Sequence, residues 1–279
     1  MHLDHIWIGI RTRTDDDSGT DNDIEIVIND GIDRLRHTIS DTVQDDLETG
    51  GANLYSVDVA GNNIVPENLT DSSIRVGIKG DDAWRPEDIF MWGRRAADGA
   101  VIPLAIETDI TTQLSTDENE GATSIPLRLV NLGSRDLLLN RLFMLMTTST
   151  REDAGTDDTI SLQIFTTGLV VDFDVPPGGD TSQEDLETSQ ANFYEIPVIT
   201  PFTKASLATM RLAIHGDDAW LPQSLFLFGL DDATGRPEIL VPLVHLPEWQ
   251  FGNMSTDPND DLDGQPAVPR VQLPLVPTP

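Results

Sequence analysis

The stretch IRVGIKGDDAWRPEDIFMWG, Ile74–Gly93, returns 136 residues later as MRLAIHGDDAWLPQSLFLFG, Met210–Gly229. In both copies, apolar residues alternate with other residues up to the Gly-Asp-Asp, which is typical of a strand with one face in a core. Gly and Asp favour a turn at that point. The runs IFMWG and LFLFG are apolar on both faces and predict buried strands. The repeated frame therefore predicts strand–turn–strand, twice.

The repetition extends over most of the chain. LDHIWIGIRTRTDDDSGTD and DLETGGANLY in the first half match LNRLFMLMTTSTREDAGTD and DLETSQANFY in the second half, in the same order. Such self-similarity indicates a duplicated structural unit, and the period-two alternation predicts sandwiches. We therefore predict an all-β fold class with two homologous antiparallel β-sandwich domains in tandem, residues 1–136 and 137–262. The Pro-rich segment 263–279 is predicted to be a C-terminal arm that can add an edge strand.

The composition restricts the partners. Of the 279 residues, 17 are Lys or Arg and 48 are Asp or Glu, so the formal net charge is −31. Such a chain repels phosphate, which excludes nucleic acid as a partner. Abundant Asp and scarce Lys are similar to proteins of salt-loving organisms, because molar salt screens the self-repulsion. The rival interpretation is a polyanionic calcium-binding protein. Cysteine is absent, which excludes disulfides and thiolate metal sites.

Two acidic motifs are the candidates for chemistry. In GDDAW, Gly and Asp suit a turn and Trp suits the core beneath it, but the carboxylates also offer hard oxygen ligands to a cation. The loops TDDDSGTDND, residues 14–23, and TREDAGTDD, residues 150–158, gather such oxygens without EF-hand spacing. A solvated loop is the alternative. The candidate Ca²⁺ ligands are Asp15, Asp16, Asp17, Asp21, Asp23, Asp81, Asp82, Asp153, Asp157, Asp158, Asp217 and Asp218.

Catalysis is not expected. Glycosidase chemistry needs two carboxyl groups across a cleft, which two neighbours on one turn do not provide. The sequence contains no G-x-S-x-G elbow and no Gly-rich phosphate loop. We therefore predict that the chain is not an enzyme.

Trp249 and Phe251, in HLPEWQFGN, are the candidate partner-binding residues. Trp249 has no aromatic counterpart in the first half, where IETDITTQ stands at the matching place. Exposed aromatics on a loop are typical of contacts with a partner. Packing against the unit interface or the C-terminal arm is the alternative.

The order of these motifs resembles the PLAT/LH2 β-sandwich. The similarity rests on a first strand followed by a G-T-D turn, in IWIGIRTRTDDDSGTDNDIEIVI and LFMLMTTSTREDAGTDDTISLQI, then on NLYSVDV and NFYEIPV, and then on the GDDAW frame. The family's usual His before the turn Asp is present once, as His215, and Lys79 replaces it in the first half. The resemblance implies non-catalytic binding to lipid or protein, often with calcium near the G-T-D loop. It makes Asp21 and Asp157 the first candidates.

These observations predict a non-catalytic binding protein that recognises a protein or lipid surface, with Ca²⁺ as candidate cofactor and adaptation to high salt. The alternative is a structural subunit, a surface, spike or tail-type component of a virus-like or extracellular assembly, whose arm docks on a neighbouring copy. No transmembrane run and no signal peptide are visible. The expected locations are an extracellular or virion surface, or the cytoplasm of a salt-accumulating halophile.

Overall fold

The fold, taken from a computed structural model, is described for residues 1–40, 47–175, 186–231, 239–260 and 266–277. Secondary structure in these residues consists of β-strands and three short 3₁₀ helices, Ala60–Asn62, Pro66–Asn68 and Lys204–Ser206. The strands pair antiparallel, which confirms the predicted all-β antiparallel class. The chain divides into two compact units, Met1–Asn131 (unit 1) and Leu132–Pro279 (unit 2).

Unit 1 contains two antiparallel sheets. Its strands are β1 Leu3–Thr12, β2 Ile24–Asn29, β3 Arg34–Ile39, β4 Ala52–Asp58, β5 Ile74–Ile78, β6 Pro86–Arg95, β7 Val101–Glu107, β8 Ser124–Pro126 and β9 Arg128–Leu129. One sheet has the order β4-β1-β6-β7-β9 and the other has the order β3-β2-β5-β8. Consecutive strands thus often belong to different sheets, which is how a sandwich closes around one core.

The core of unit 1 follows from the alternating pattern. Ile24, Ile26 and Ile28 on β2 are buried, whereas the intervening residues are half-buried. These side chains belong to one hydrophobic cluster with Ile6 and Ile8 of β1 in the other sheet. Because successive side chains on a strand point to opposite faces, this period places one face of each sheet against the other.

Unit 2 repeats the arrangement. A two-residue strand, β10 Asn131–Leu132, stands at the division, and the unit continues with β11 Leu138–Thr148, β12 Ile160–Thr166, β13 Val170–Val175, β14 Ala191–Thr203, β15 Leu207–Ile214, β16 Pro222–Leu230, β17 Ile239–Leu246 and β18 Arg270–Leu273. Its two sheets have the orders β14-β11-β16-β17 and β13-β12-β15-β18. Strand β18 occupies the edge beside β15, as β8 does beside β5 in unit 1.

The division between the units differs slightly from the boundary drawn from the sequence repeat. It falls after Asn131 rather than after residue 136, because the intervening turn is bonded to unit 2. Gly133 N donates to the Leu240 carbonyl at 2.7 Å, and Ala205 N donates to the Arg135 carbonyl at 2.9 Å. In the Pro-rich segment, Arg270–Leu273 is a strand of unit 2, and residues 263–265 at its start lie outside the described residues. Independent folding of two homologous domains stays a prediction.

An ion pair between the partly exposed Arg11 and the buried Asp88 distinguishes unit 1 from unit 2. Arg11 on β1 lies opposite Asp88 on β6, and its Nη2 and Nε lie 2.5 and 2.7 Å from Asp88 Oδ2. Asp109 N donates to Asp88 Oδ1 at 3.1 Å. Burial raises the pKa of Asp88 to about 6, since the desolvation of its carboxylate outweighs the attraction of Arg11. In unit 2, a hydroxyl pair with 2.7 Å between Thr147 Oγ1 and Ser224 Oγ takes the same place.

Candidate functional site

The tryptophan of each GDDAW motif is a core residue. Trp84 and Trp220 are both fully buried. The indole N–H of Trp84 donates to Thr12 Oγ1 at 3.1 Å, and that of Trp220 donates to Thr148 Oγ1 at 3.0 Å. A buried indole needs such an acceptor. The repeated Trp is therefore explained by packing and hydrogen bonding inside each unit.

The Gly-Asp-Asp turn of each unit is bonded to the G-T-D loop of the same unit. In unit 1, Asp21 N donates to Asp82 Oδ2 at 3.1 Å, and Thr20 Oγ1 donates to the Asp82 carbonyl at 3.2 Å. In unit 2, Asp157 N donates to Asp218 Oδ2 at 3.0 Å. The two acidic motifs predicted separately thus form one structure, in which the second Asp of GDDAW accepts a backbone hydrogen bond.

The glycine of the turn in unit 2 is required by close approach. Asp158 Oδ2 accepts the N–H of Asp218 at 2.7 Å. A Cβ at Gly216 would lie 1.7 Å from the Asp158 carboxylate, whereas real atoms do not approach so closely. The equivalent Gly80 in unit 1 lies in the same way against Asn22. The repeated Gly therefore admits the carboxylate or amide that ties the two loops together.

A third loop joins the G-T-D loop through a threonine. Thr188 Oγ1 accepts the N–H of Gly155 at 3.2 Å in unit 2, and Thr49 Oγ1 accepts the N–H of Gly19 at 3.1 Å in unit 1. These threonines belong to the repeated DLET motif. In unit 2, the Glu of this motif, Glu187, lines the same pocket as Asp153 and Asp157, and it was absent from the predicted ligands.

The three loops of unit 2 line an open acidic pocket of about 330 Å³. Three predicted ligands, Asp153, Asp157 and Asp218, line it together with Glu187. Sequence reasoning missed Glu187, although the DLET repeat, written once in each half, was the signal that could have found it. We call this space the acidic pocket. Four acidic residues from three separate segments thus line one open space.

The remaining predicted ligands of unit 1 are mostly exposed. Asp15 forms an ion pair with Arg13 at 3.3 Å, and Asp16 is exposed beside it. Asp17 is exposed and has a left-handed backbone with a φ of 57°, and Asp153 has the same φ in unit 2. The two loops therefore share this uncommon conformation, for a residue other than Gly, at equivalent positions.

Three other predicted ligands contribute backbone carbonyls rather than side chains to the hydrogen bonds of the turn. The carbonyl of Asp23 accepts Lys79 N at 2.9 Å. The carbonyls of Asp81 and Asp217 accept the hydroxyls of Ser115 and Ser255 at 3.3 and 3.2 Å. The side chains of Asp81 and Asp217 are exposed. The first Asp of GDDAW therefore has a turn role through its backbone, and its carboxylate faces solvent.

The donor set of the acidic pocket suits a hard cation, because carboxylate oxygens are the ligands that Ca²⁺ prefers. Within the residues that the structure describes, no three Asp, Glu or His side chains are close enough together to hold a metal ion as they stand. Carboxylates without a cation repel one another. A calcium site here would need the side chains to converge on the ion.

Trp249 and Phe251 are half-buried and pack against the core cluster of unit 2. Their ring centroids lie 5.0 Å apart in an edge-on arrangement, and Trp249 lies 6.5 Å from the ring of Trp220. The Trp249 indole N–H donates to the Gly252 carbonyl at 2.7 Å. Trp249 thus contacts the buried Trp220 of GDDAW, and Phe251 contacts Trp249. The contact of these two residues with a partner stays a prediction.

Comparison with known proteins does not show a family. No protein-family model and no curated protein matches the chain. Alpha toxin from Clostridium absonum is a structural neighbour with a TM-score of 0.33 and 14% identity, over 50% of this chain and 33% of the toxin. The paired C2 domains of Extended-Synaptotagmin 2 give a TM-score of 0.14 and 9% identity, over 77% of this chain and 74% of that one. The chain thus spans about a third of the toxin, and the PLAT/LH2 resemblance stays a prediction.

Proposed function

We propose that this protein is a non-catalytic binding protein that recognises a protein or lipid surface and takes up Ca²⁺ at its acidic loops. The observation that supports the proposal is the acidic pocket, where Asp153, Asp157, Glu187 and Asp218 from three loops line one space. Hydrogen bonds from backbone N–H groups to the side-chain oxygens of Thr188 and Asp218 hold these loops together. A cation would neutralise the repulsion between the carboxylates and leave free coordination positions toward an approaching surface.

The proposal includes the setting of the protein. A net charge of −31 opposes contact with an anionic surface, and both calcium and molar salt weaken that repulsion. A protein at an extracellular or virion surface, or in the cytoplasm of a salt-accumulating halophile, meets such conditions. None of the described helices has the length and apolar character needed to cross a bilayer.

Calorimetry with paired variants tests the calcium part. We expect Ca²⁺ to raise the melting temperature at fixed ionic strength and a chelator to reverse the rise. Glu187→Gln removes one pocket carboxylate and should reduce the rise. Asp136→Asn removes one exposed carboxylate outside the pocket and should leave the rise intact. An unchanged melting temperature in wild type with Ca²⁺ would contradict the proposal.

Vesicle flotation tests the surface part. The vesicles are phosphatidylcholine alone and phosphatidylcholine with phosphatidylserine. We expect them to capture the wild-type chain only when Ca²⁺ is present. Glu187→Gln should lower the captured fraction. If Ca²⁺ binds but no vesicle captures the chain, a lipid surface is excluded and a protein surface remains. A large homo-oligomer in size-exclusion chromatography at molar salt would instead support the structural-subunit alternative.

A further inference from the structure

A second pocket in unit 2 lies next to the acidic pocket and shares Asp153 with it. Its volume is about 130 Å³, which suits one small group rather than a whole ligand. Glu152 and Asp153 contribute two negative charges to its lining, and Arg151 contributes one positive charge. Leu221 and Asn253 form part of its wall. We call it the Asn253 pocket.

Asn253, which lines this pocket, carries an unsatisfied acceptor. The residue is 6% exposed, and its Nδ2 donates to the Asp260 carbonyl at 2.6 Å. That contact fixes the orientation of the amide, because only the nitrogen can donate to a carbonyl. The remaining atom, Oδ1, is buried and accepts no hydrogen bond from the described residues. A buried carbonyl of this kind favours a ligand that supplies an N–H donor.

In unit 1, an arginine side chain donates to the equivalent amide oxygen. Trp84 pairs with Leu114 as Trp220 pairs with Met254, so Gln113 in unit 1 stands where Asn253 stands in unit 2. In unit 1, Arg85 Nε donates to Gln113 Oε1 at 2.9 Å.

Position 221 explains why the donor is missing from unit 2. Arg85 N donates to the Ser18 carbonyl at 3.0 Å, and Leu221 N donates to the Ala154 carbonyl at 2.9 Å. These matching backbone contacts show that Leu221 replaces Arg85 in unit 2. Since the leucine side chain cannot donate, the amide acceptor is kept and the guanidinium that satisfies it in unit 1 is lost.

We propose that the Asn253 pocket binds the guanidinium group of an arginine side chain presented by a protein partner. A guanidinium is planar, always charged and rich in N–H donors, so it can meet the Asn253 oxygen and the carboxylates of Glu152 and Asp153 together. The quaternary ammonium of a phosphatidylcholine headgroup has no N–H to donate, which favours a protein source over that lipid. The inference rests on the proposed binding function and names the partner class. It does not depend on Ca²⁺.

Titration of the full chain with small probes in the presence of a chelator tests this. The probes are methylguanidinium, its neutral analogue methylurea, and N-acetylarginine amide, which carries the same group on a peptide-like backbone. We expect one site per chain, with a dissociation constant on the order of millimolar for both guanidinium probes. Methylurea should bind at least about tenfold more weakly, because it has no charge for the carboxylates.

Leu221→Arg should abolish probe binding, because it supplies the internal guanidinium that unit 1 already has. The matched control Leu221→Met keeps an apolar wall and should bind as wild type does. Arg85→Leu empties the equivalent place in unit 1 and should raise the number of sites per chain from one to two. This gain keeps the proposal testable if Leu221→Arg does not fold.

Four results would overturn the inference. They are no saturable binding to wild type, equal binding of methylurea, unchanged binding by folded Leu221→Arg, and binding of methylguanidinium without binding of N-acetylarginine amide. The last result would show that the pocket cannot accept an arginine attached to a backbone. Loss of the calcium response with intact probe binding would contradict the calcium proposal alone, since every titration contains a chelator.

Discussion

Asp88→Asn is expected to gain stability relative to wild type as the pH rises from about 4 to 7. Burial raises the pKa of Asp88 from 3.8 to about 6 in the folded chain. Between these values the unfolded chain has released the proton and the folded chain retains it, so wild-type stability falls as the pH rises. Each pKa unit corresponds to 1.36 kcal/mol, which gives a fall on the order of 3 kcal/mol. The variant has no titrating group at this position, so its stability does not fall with pH for this reason.

The measurement is urea denaturation followed by tryptophan fluorescence at several pH values in about 1 M KCl, where the remaining surface charges are largely screened. The informative quantity is the difference in unfolding free energy between variant and wild type at each pH, because the other carboxylates cancel in it. Asp98→Asn is the control. Asp98 pairs with Arg95 at the surface, and an exposed pair of this kind contributes at most about 1 kcal/mol.

The direction in which the stability difference changes with pH shows whether burial or the Arg11 ion pair controls the protonation of Asp88. The contacts of 2.5 and 2.7 Å between Arg11 and Asp88 favour the ionised carboxylate, whereas its burial favours the protonated one. Burial has the larger effect, because Asp88 is 1% exposed. A difference that stays flat or decreases with pH would show that Arg11 keeps Asp88 ionised, and would refute the reasoning.

Three further outcomes are expected. Arg11→Thr alone should lower the free energy of unfolding by about 3 kcal/mol at pH 7, because it leaves a buried carboxylate without its partner. The double variant Arg11→Thr with Asp88→Ser, which has the residues of unit 2 at these positions, should lower it by less. Equal losses for the two variants in urea denaturation would contradict this. Trp84→Phe and Trp220→Phe should each lower stability by about 1–2 kcal/mol through the lost indole hydrogen bond, and melting curves unchanged from wild type would argue against it. Stability should rise from low to molar KCl, and a flat salt titration would count against salt adaptation.

Much of the fold follows from short-range pattern. The alternation of Ile24, Ile26 and Ile28 predicts a strand with one buried face, and the structure has β2 with that burial. The strand–turn–strand interpretation of GDDAW holds for the same reason, since Gly and Asp mark the turn and the apolar run marks the next strand. The exact division between the units could not be predicted from the sequence, because it depends on backbone hydrogen bonds of Gly133 and Ala205 to residues distant in the chain. No local sequence pattern indicates such bonds.

The candidate site was only partly predictable. Sequence reasoning identified Asp157 and Asp218 as members of two motifs, but the 3.0 Å contact between them depends on two loops that lie far apart in the chain. Glu187 was missed because the DLET repeat marks the duplication but does not by itself indicate a carboxylate ligand. Its significance arises when the loop brings it beside Asp153 at the acidic pocket.

The sequence by itself determined the strand periodicity, the duplicated frame and the large negative charge, because these are properties of neighbouring residues and of composition. Only the tertiary structure decided what each polar group faces. The same amide position is satisfied by Arg85 in unit 1 and left open beside Leu221 in unit 2. A hydrogen bond needs atoms about 3 Å apart, and chain folding, not sequence spacing, sets that distance between remote loops.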